Sequence, residues 1–283
     1  MAEFITNLFW DLIDYLREML LICRVALGRS LALRAPDRDI LASEIRLAAH
    51  IVDKELQLHR SLENTTWHVQ LGKMISIYES KFVTADPSVL WAKEILKRYR
   101  MNIAEGGGES PATEPSYQAS RRTSIRRFRD GAIPDSMVAQ VIDAGVWAPS
   151  SCNRQPCRFL VVRSPDLVRR IGSSLVGGTG FADKAPVIIV ALVDLRMYSM
   201  PGDRHLPYLD AGAATMSMLS TVHSLGLGGC WMNWKLKTRA RRISKLLGVG
   251  RYEVPISAIA LGHPEFIPVP PSRTTPESVT RFL

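Results

Sequence analysis

The sequence predicts an all-helical amino-terminal region followed by a domain that mixes helices with strands. Three observations carry this. Through residues 1–101, apolar side chains recur every three to four positions, and little there alternates as a strand would. Residues 102–118 then turn polar, with the Gly106-Gly107-Gly108 triplet, Pro111 and Pro115, which is the composition of a linker. Beyond it, in residues 119–283, branched apolar runs at 159–162, 186–193 and 256–261 alternate with helical patterns, giving an α+β or α/β core.

Each element follows from local pattern. Phe4, Leu8, Phe9, Leu12, Leu16, Met19, Leu20 and Leu27 share a helical face, but Asp11, Asp14, Arg17, Glu18 and Arg24 interrupt them. The uncharged run falls far short of the ~20 residues a spanning helix needs. The acidic start also lacks the basic region of a signal peptide. A packed amphipathic helix is expected, with membrane-surface or partner contact as the alternative. Leu41, Ile45, Ala48, Ile51, Val52 and Leu56 mark a further helix, and Leu90, Trp91, Ile95, Leu96 and Tyr99 another. Asp86 before Pro87 suits the cap and first turn of the latter.

After the linker, Pro134 and Asp135 open a helix carrying Val138, Val141 and Ile142. Residues 208–225 form a long helix almost free of charge, which predicts burial on most faces, and Gly226 to Gly229 end it. A basic helix is expected at 238–247. Segments 172–184 and 196–207 are glycine-rich or irregular and are expected to be surface loops or a lid.

Composition bounds the function. A chain of 283 residues holds one large or two modest domains. Its net charge of +9 fits either a solvated scatter of Lys and Arg or an anion-seeking surface. A nucleic-acid binder would need basic residues aligned with aromatics or a known module, and neither is present. Cys23, Cys152, Cys157 and Cys230 have no C-x-x-C spacing and follow no secretory signal, so a reducing, cytoplasmic setting is expected. No histidine cluster suggests a metal.

Two stretches carry chemistry. Residues 121–129 pack five arginines around Thr123 and Ser124. Arg122 and Arg126 can fork onto a phosphate, and Thr123 and Ser124 can add hydroxyl or backbone donors. Alone, such a run is as compatible with a solvated basic face or a targeting signal. The second stretch, Ala148-Pro149-Ser150-Ser151-Cys152-Asn153-Arg154-Gln155-Pro156, lies between a helix and a strand. There a loop can present Asn153 and Gln155 to the polar edge of a heterocycle, although these are also ordinary turn residues. Together they suit a phosphorylated flat cofactor such as FMN.

The order of Arg122-x-Ser124-x-Arg126-x-Phe128, a helix, then Ala148-Pro149-Ser150-x-x-Asn153-x-Gln155-Pro156 and a strand resembles the nitroreductase-like FMN-dependent flavoenzymes. Asp210-Ala-Gly-Ala-Ala214 leading to Leu225-Gly-Leu-Gly-Gly-Cys-Trp231 resembles that family's central helix and following strand. Leu261-Gly-His-Pro264 and Pro270-Pro-Ser-Arg273 resemble its carboxyl end. The resemblance spans about residues 119–283 and implies an α+β fold, with a central sheet flanked by helices.

It further implies an NADH- or NADPH-dependent oxidoreductase that passes hydride through FMN to a nitroaromatic, quinone or activated alkene by a ping-pong course. Arg122, Ser124, Arg126 and Arg273 would hold the phosphate and ribityl chain. Ser150, Ser151 and Asn153 would reach the flavin from the partner of an intertwined homodimer, with Pro149 and Gln155 of the same stretch also at the cofactor. Trp231, Met232, Asn233 and Trp234 would lie along the ring, with the Asn233 backbone N–H near flavin N5. Dehalogenation, heterocycle dehydrogenation, flavin fragmentation and a non-catalytic flavin-binding or interaction module are alternatives within the same resemblance. The chain departs from the family pattern at Cys157, where Trp is frequent, and at Trp234, where Gly is frequent.

Overall fold

The computed structural model describes residues 37–57, 66–83, 86–101, 122–178, 180–198, 201–234, 243–268 and 276–283. The expectations for the first 36 residues, for the whole linker and for the start of the 238–247 helix lie outside these.

Among the described residues, three helices come first: α1 (Arg38–Gln57), α2 (Trp67–Lys81) and α3 (Pro87–Arg100). Asp37 opens α1 by accepting from the backbone N–H of Asp39 at 3.0 Å and of Ile40 at 3.3 Å. Asp86 opens α3 by accepting from Ser88 N at 2.8 Å, with Pro87 in the first turn, as the sequence indicates. Leu41, Ile45, Ala48 and Val52 of α1 pack against Leu71, Ile75 and Tyr78 of α2 and Ala92, Ile95 and Leu96 of α3. That is a core of its own. Leu90, expected on the apolar stripe, is exposed instead, and Val89 and Ala92 take its place inside.

The rest is built on one sheet with strands β1 (Phe128–Arg129), β2 (Cys157–Val162), β3 (Leu175–Val176), β4 (Val187–Asp194), β5 (Gly228–Trp234) and β6 (Glu253–Pro264). The path runs β2-β4-β6-β5-β3, with β1 beside β6, and every pairing is antiparallel. The core is therefore α+β. Its helices are α4 (Asp135–Val146), α5 (Pro165–Gly172), α6 (Leu206–Ser224) and the short α7 (Pro276–Val279).

The pleat sends alternate residues to two cores. Ile188, Val190 and Leu192 of β4, Ala258 and Ala260 of β6, and Cys230, Met232 and Trp234 of β5 meet α5. Val187 and Ile189 of β4, with Ile259 and Leu261 of β6, meet α4 and α6. All eight residues of β4 are buried, which is why it reads as a continuous branched run rather than an alternating one. Pro255 sits inside β6 without an N–H to give, and the register shifts beside it, between Ala191 and Leu192.

The glycine stop after α6 is a Schellman turn: Leu227 N donates to Val222 O at 2.9 Å and Gly226 N to His223 O at 3.0 Å, with Gly226 at φ +68°. The segments expected to be irregular hold short ordered pieces. Residues 175–176 form β3 against β5, and 195–197 and 201–205 are 3₁₀ turns. Asp194 caps the first of these by accepting from Arg196 N at 3.0 Å.

Candidate functional site

Residues 122–127 run alongside β5. Ile125 N donates to Gly229 O at 3.0 Å, and the Arg127 carbonyl accepts from Glu265 N at 3.0 Å. The close approach depends on Gly228, where a Cβ would fall 2.7 Å from the Ile125 side chain. Burial alternates along the stretch. Thr123 and Ile125 are buried, whereas Arg122, Ser124 and Arg126 stay partly or fully open.

Arg122, Ser124 and Arg126 converge on the thiol of Cys230 in β5. Burial pushes that thiol's pKa up, and the charges of Arg126 and Arg122 together with hydrogen bonds from Ser124 and Arg126 pull against it. Among the described residues neither Arg122 nor Arg126 is paired with a carboxylate. Arg127 is, through a bidentate contact with Glu265 at 2.9 and 2.7 Å. Two guanidiniums, neither paired with a carboxylate among the described residues, and a hydroxyl are thus gathered near the Cys230 thiol, which is a donor set for an anion. The Thr123 hydroxyl is not among them. It is buried, without a hydrogen-bond partner among the described residues, and lines a hollow with Arg122, Leu219, Val222 and Leu227.

The second stretch folds into a tight loop between α4 and β2. Cys152, Asn153 and Gln155 have φ of +53°, +53° and +51°, a conformation disfavoured for residues with a Cβ. Bonds inside the loop hold it. Asn153 N reaches Ser150 O at 2.9 Å, Gln155 N reaches Ser150 Oγ at 3.0 Å, and the Gln155 amide donates to Asn153 Oδ1 at 3.0 Å.

Asp210, in the first turns of α6, anchors the loop from below. One carboxylate oxygen accepts from Ser151 N at 2.9 Å and Ser151 Oγ at 2.8 Å, and the other accepts from the Tyr198 hydroxyl at 2.8 Å. Burial, with the Asp210 charge added, holds the Tyr198 hydroxyl well above its ordinary pKa. Pro149, Ser150, Gln155, Cys157 and Asp210 line a cleft beside the loop. Burial in that wall, reinforced by Asp210, pushes the Cys157 thiol up to about 12, so it stays protonated at neutral pH.

On β5, Trp231 and Asn233 face outward, on the side toward α6, where a Cβ on Gly212 would meet the Trp231 ring at 3.9 Å. Met232 and Trp234 point the other way, into the core with Leu175, Val168 and Ile243. The side chain of Trp234 is therefore a packing residue backing the strand. Asn233 turns its Oδ1 onto Trp234 N at 2.8 Å. Arg273 lies outside the described residues.

Sequence reasoning quoted Asp210 without a role and passed over Tyr198 and Arg46. The available signal was a single carboxylate, Asp210, in a helix otherwise nearly free of charge. Such a group has to be held by partners.

Comparison with known proteins bears on this arrangement. The nitroreductase family model matches residues 119–179 and 174–263. The chain belongs to the nitroreductase family. A relative from Methanothermobacter thermautotrophicus, named for NADH dehydrogenase or NAD(P)H nitroreductase activity, is 31% identical over 144 residues, covering 50% of this chain and 73% of that one. The FMN reductase [NAD(P)H] of Bacillus subtilis is 30% identical over 156 residues, covering 50% of this chain and 62% of its own length. A solved nitroreductase-type structure from Desulfovibrio desulfuricans, in complex with FMN, is 31% identical with a TM-score of 0.50, covering 58% of this chain and 93% of that one. Nitroreductase A of Vibrio parahaemolyticus shares the fold, with a TM-score of 0.52 at 23% identity over 58% of this chain and 72% of its own. The α1–α3 bundle precedes the part of this nitroreductase-family chain that the family model matches.

Proposed function

We propose that this chain is an FMN-dependent oxidoreductase that takes hydride from NADH or NADPH and passes it to a small acceptor, a nitroaromatic, quinone or activated alkene, in two successive half-reactions. The observation that carries this reading is the cluster of Arg122, Ser124 and Arg126 over Cys230, with both guanidiniums free of carboxylates among the described residues. Its chemistry fits a phosphate. The paired amides of Asn153 and Gln155 fit the pyrimidine edge of the ring, and the outward indole of Trp231 fits a flat ring face. The FMN named in the Desulfovibrio desulfuricans structure and the donor named for the Bacillus subtilis relative support the same assignment.

When bound, FMN supplies a ring that takes up hydride from the nicotinamide and delivers it to the acceptor. Arg122 and Arg126 would neutralise and orient the phosphate and Ser124 would donate to it; Arg273, outside the described residues, is assigned to the same group. The backbone N–H of Asn233 favours negative charge gathering on the ring. Asn153 and Gln155 fix the ring's edge, with Pro149, Ser150 and Ser151 shaping the same loop. Trp231 covers a face and keeps water away from the transfer path. Met232 and Trp234 stiffen β5 from behind, and Thr123 fixes the inner face of the arginine segment. Burial keeps the Cys157 thiol protonated at neutral pH.

The working unit in this reading is a homodimer in which the 149–155 loop of one copy serves the arginine cluster of the other. Leu209 and Met216 of α6 are exposed, as are Trp147 and Phe282, which leaves apolar surface for a second copy. This accounts for an almost uncharged helix that a single chain covers on one side only. The test is reconstitution of the full chain with FMN, followed by anaerobic addition of NADH or NADPH. Bleaching of the bound flavin band, restored by a quinone or nitroaromatic, is expected. A chain that holds FMN but is not reduced by either nicotinamide would overturn the proposed reaction.

A further inference from the structure

The amino-terminal bundle touches the 150–155 loop directly. Arg46 of α1 is buried at 7% exposure, and its guanidinium reaches both ways. One Nη donates to Ser88 Oγ in α3 at 2.7 Å, and the other donates to the backbone carbonyl of Arg154 at 3.0 Å. Ser88 is itself fixed, its N–H donating to Asp86 Oδ1 at 2.8 Å. Asp86, Ser88, Arg46 and the Arg154 carbonyl therefore form one polar line from the bundle into the loop.

The rim of the contact carries two ion pairs, Asp37 with Arg196 at 2.8 Å and Asp39 with Arg158 at 4.0 Å. Arg196 is in turn held by Asp194 at 2.6 Å, at the end of β4. The bundle is thus seated on the sheet domain at several points around the loop.

The carbonyl that Arg46 grips lies between Asn153 and Gln155, the two residues assigned to the ring edge. Both have positive φ, as does Cys152. Left-handed backbone at residues with a Cβ persists only where neighbours over-determine it. Asp210 supplies that constraint from below, and Arg46 supplies it from above.

A hydrophobic side chain of similar volume would fill the Arg46 site without desolvating a charge. What the guanidinium adds is two directed hydrogen bonds, one to each module. A purely packing role does not need them.

From this arrangement we infer that the amino-terminal bundle positions the flavin-edge loop, with Arg46 as the positioning residue that sets Asn153 and Gln155. The inference rests on the flavin reading above. It gives the bundle a function in the site itself rather than in attachment elsewhere.

The test compares full-length wild type with Arg46→Met, Arg46→Lys and Ser88→Ala. It uses FMN titration, the visible circular dichroism of saturated protein, and hydrogen exchange of residues 148–158 without FMN. Arg46→Met is expected to raise the FMN Kd about ten-fold, the equivalent of one lost directed bond. It should also alter the visible dichroism and speed exchange in the loop. Arg46→Lys should recover part of each. Ser88→Ala, which keeps the charge and loosens its anchor, should shift all three less and in the same direction, and it decides the matter if Arg46→Met does not fold. Wild-type Kd, dichroism and loop exchange in these variants overturn the inference. A wild-type chain that binds no FMN overturns the flavin reading instead, while faster loop exchange in the variants still upholds the bundle's hold on the loop.

Discussion

Replacing Asp210 should cost more than any other single change at the base of the loop. The carboxylate is buried at 5% exposure and accepts three bonds, two from Ser151 and one from the Tyr198 hydroxyl. A hydrogen bond to a charged acceptor contributes about 1.5–3 kcal/mol net, and a buried donor left without a partner costs about 1–3 kcal/mol. In Asp210→Ala the Ser151 hydroxyl can turn to water, because it is only part-buried. The Tyr198 hydroxyl is fully enclosed and cannot. Burying the carboxylate has its own desolvation cost, which its removal recovers and which trims the total. The net loss should be about 3–4 kcal/mol, a large share of the 5–15 kcal/mol typical of a folded domain. Tyr198→Phe removes a single donor and should cost about 1–2 kcal/mol. Urea unfolding at neutral pH, read as a shift in midpoint at constant slope, measures both. Asp210→Ala within about 0.5 kcal/mol of wild type, or no more costly than Tyr198→Phe, would refute the anchoring argument.

Further outcomes follow from the same geometry. Cys157 has a folded pKa of about 12 against ~8.5 unfolded, and its stabilising contribution is complete below ~8.5. Above that pH the unfolded thiol ionises first, so stability should fall by up to about 1.4 kcal/mol per unit toward pH 12. Cys230 and Tyr198, also raised by burial, add to the loss. Urea midpoints from pH 7 to 10.5 should fall steadily, and Cys157→Ser should flatten the decline. At pH 8 iodoacetamide should label Cys157 slowly in folded protein and readily in urea, read by mass spectrometry. Leu209→Glu combined with Met216→Glu should shift the chain to monomer in sedimentation equilibrium if α6 forms the homodimer contact; an unchanged dimer would move that contact elsewhere.

Much of the fold was legible because its signals are local. The three-four periodicity of α1 and α3, the Asp86-Pro87 start and the Gly226 stop all depend on a few neighbouring residues, and each appears where the sequence puts it. The antiparallel sheet order was not legible from the residues alone, since it depends on pairings far apart in the chain. The resemblance to the family implied a central sheet flanked by helices, but not the order or direction of its strands.

The site divides in the same way. Arg122, Ser124 and Arg126 fall on one side of an extended segment, as alternation allows, and meet at Cys230. Trp234 is expected along the ring with its neighbours, yet strand parity turns it inward, opposite Trp231. Nothing adjacent in sequence links Arg46 to Arg154, or Tyr198 and Ser151 to Asp210. Those links are tertiary, and only the folded chain displays them.

The central claim is that the Arg122, Ser124 and Arg126 cluster binds the phosphate of FMN. It is tested most directly by titrating the full chain and its Arg126→Ala variant with FMN and with riboflavin, which lacks the phosphate, following flavin fluorescence. The account predicts that wild type prefers FMN strongly. Arg126→Ala should weaken FMN by about ten- to hundred-fold, the worth of one charge-assisted contact, and leave riboflavin nearly unchanged. Equal affinity of wild type for the two flavins, or an Arg126→Ala variant that keeps the full preference for FMN, would contradict it.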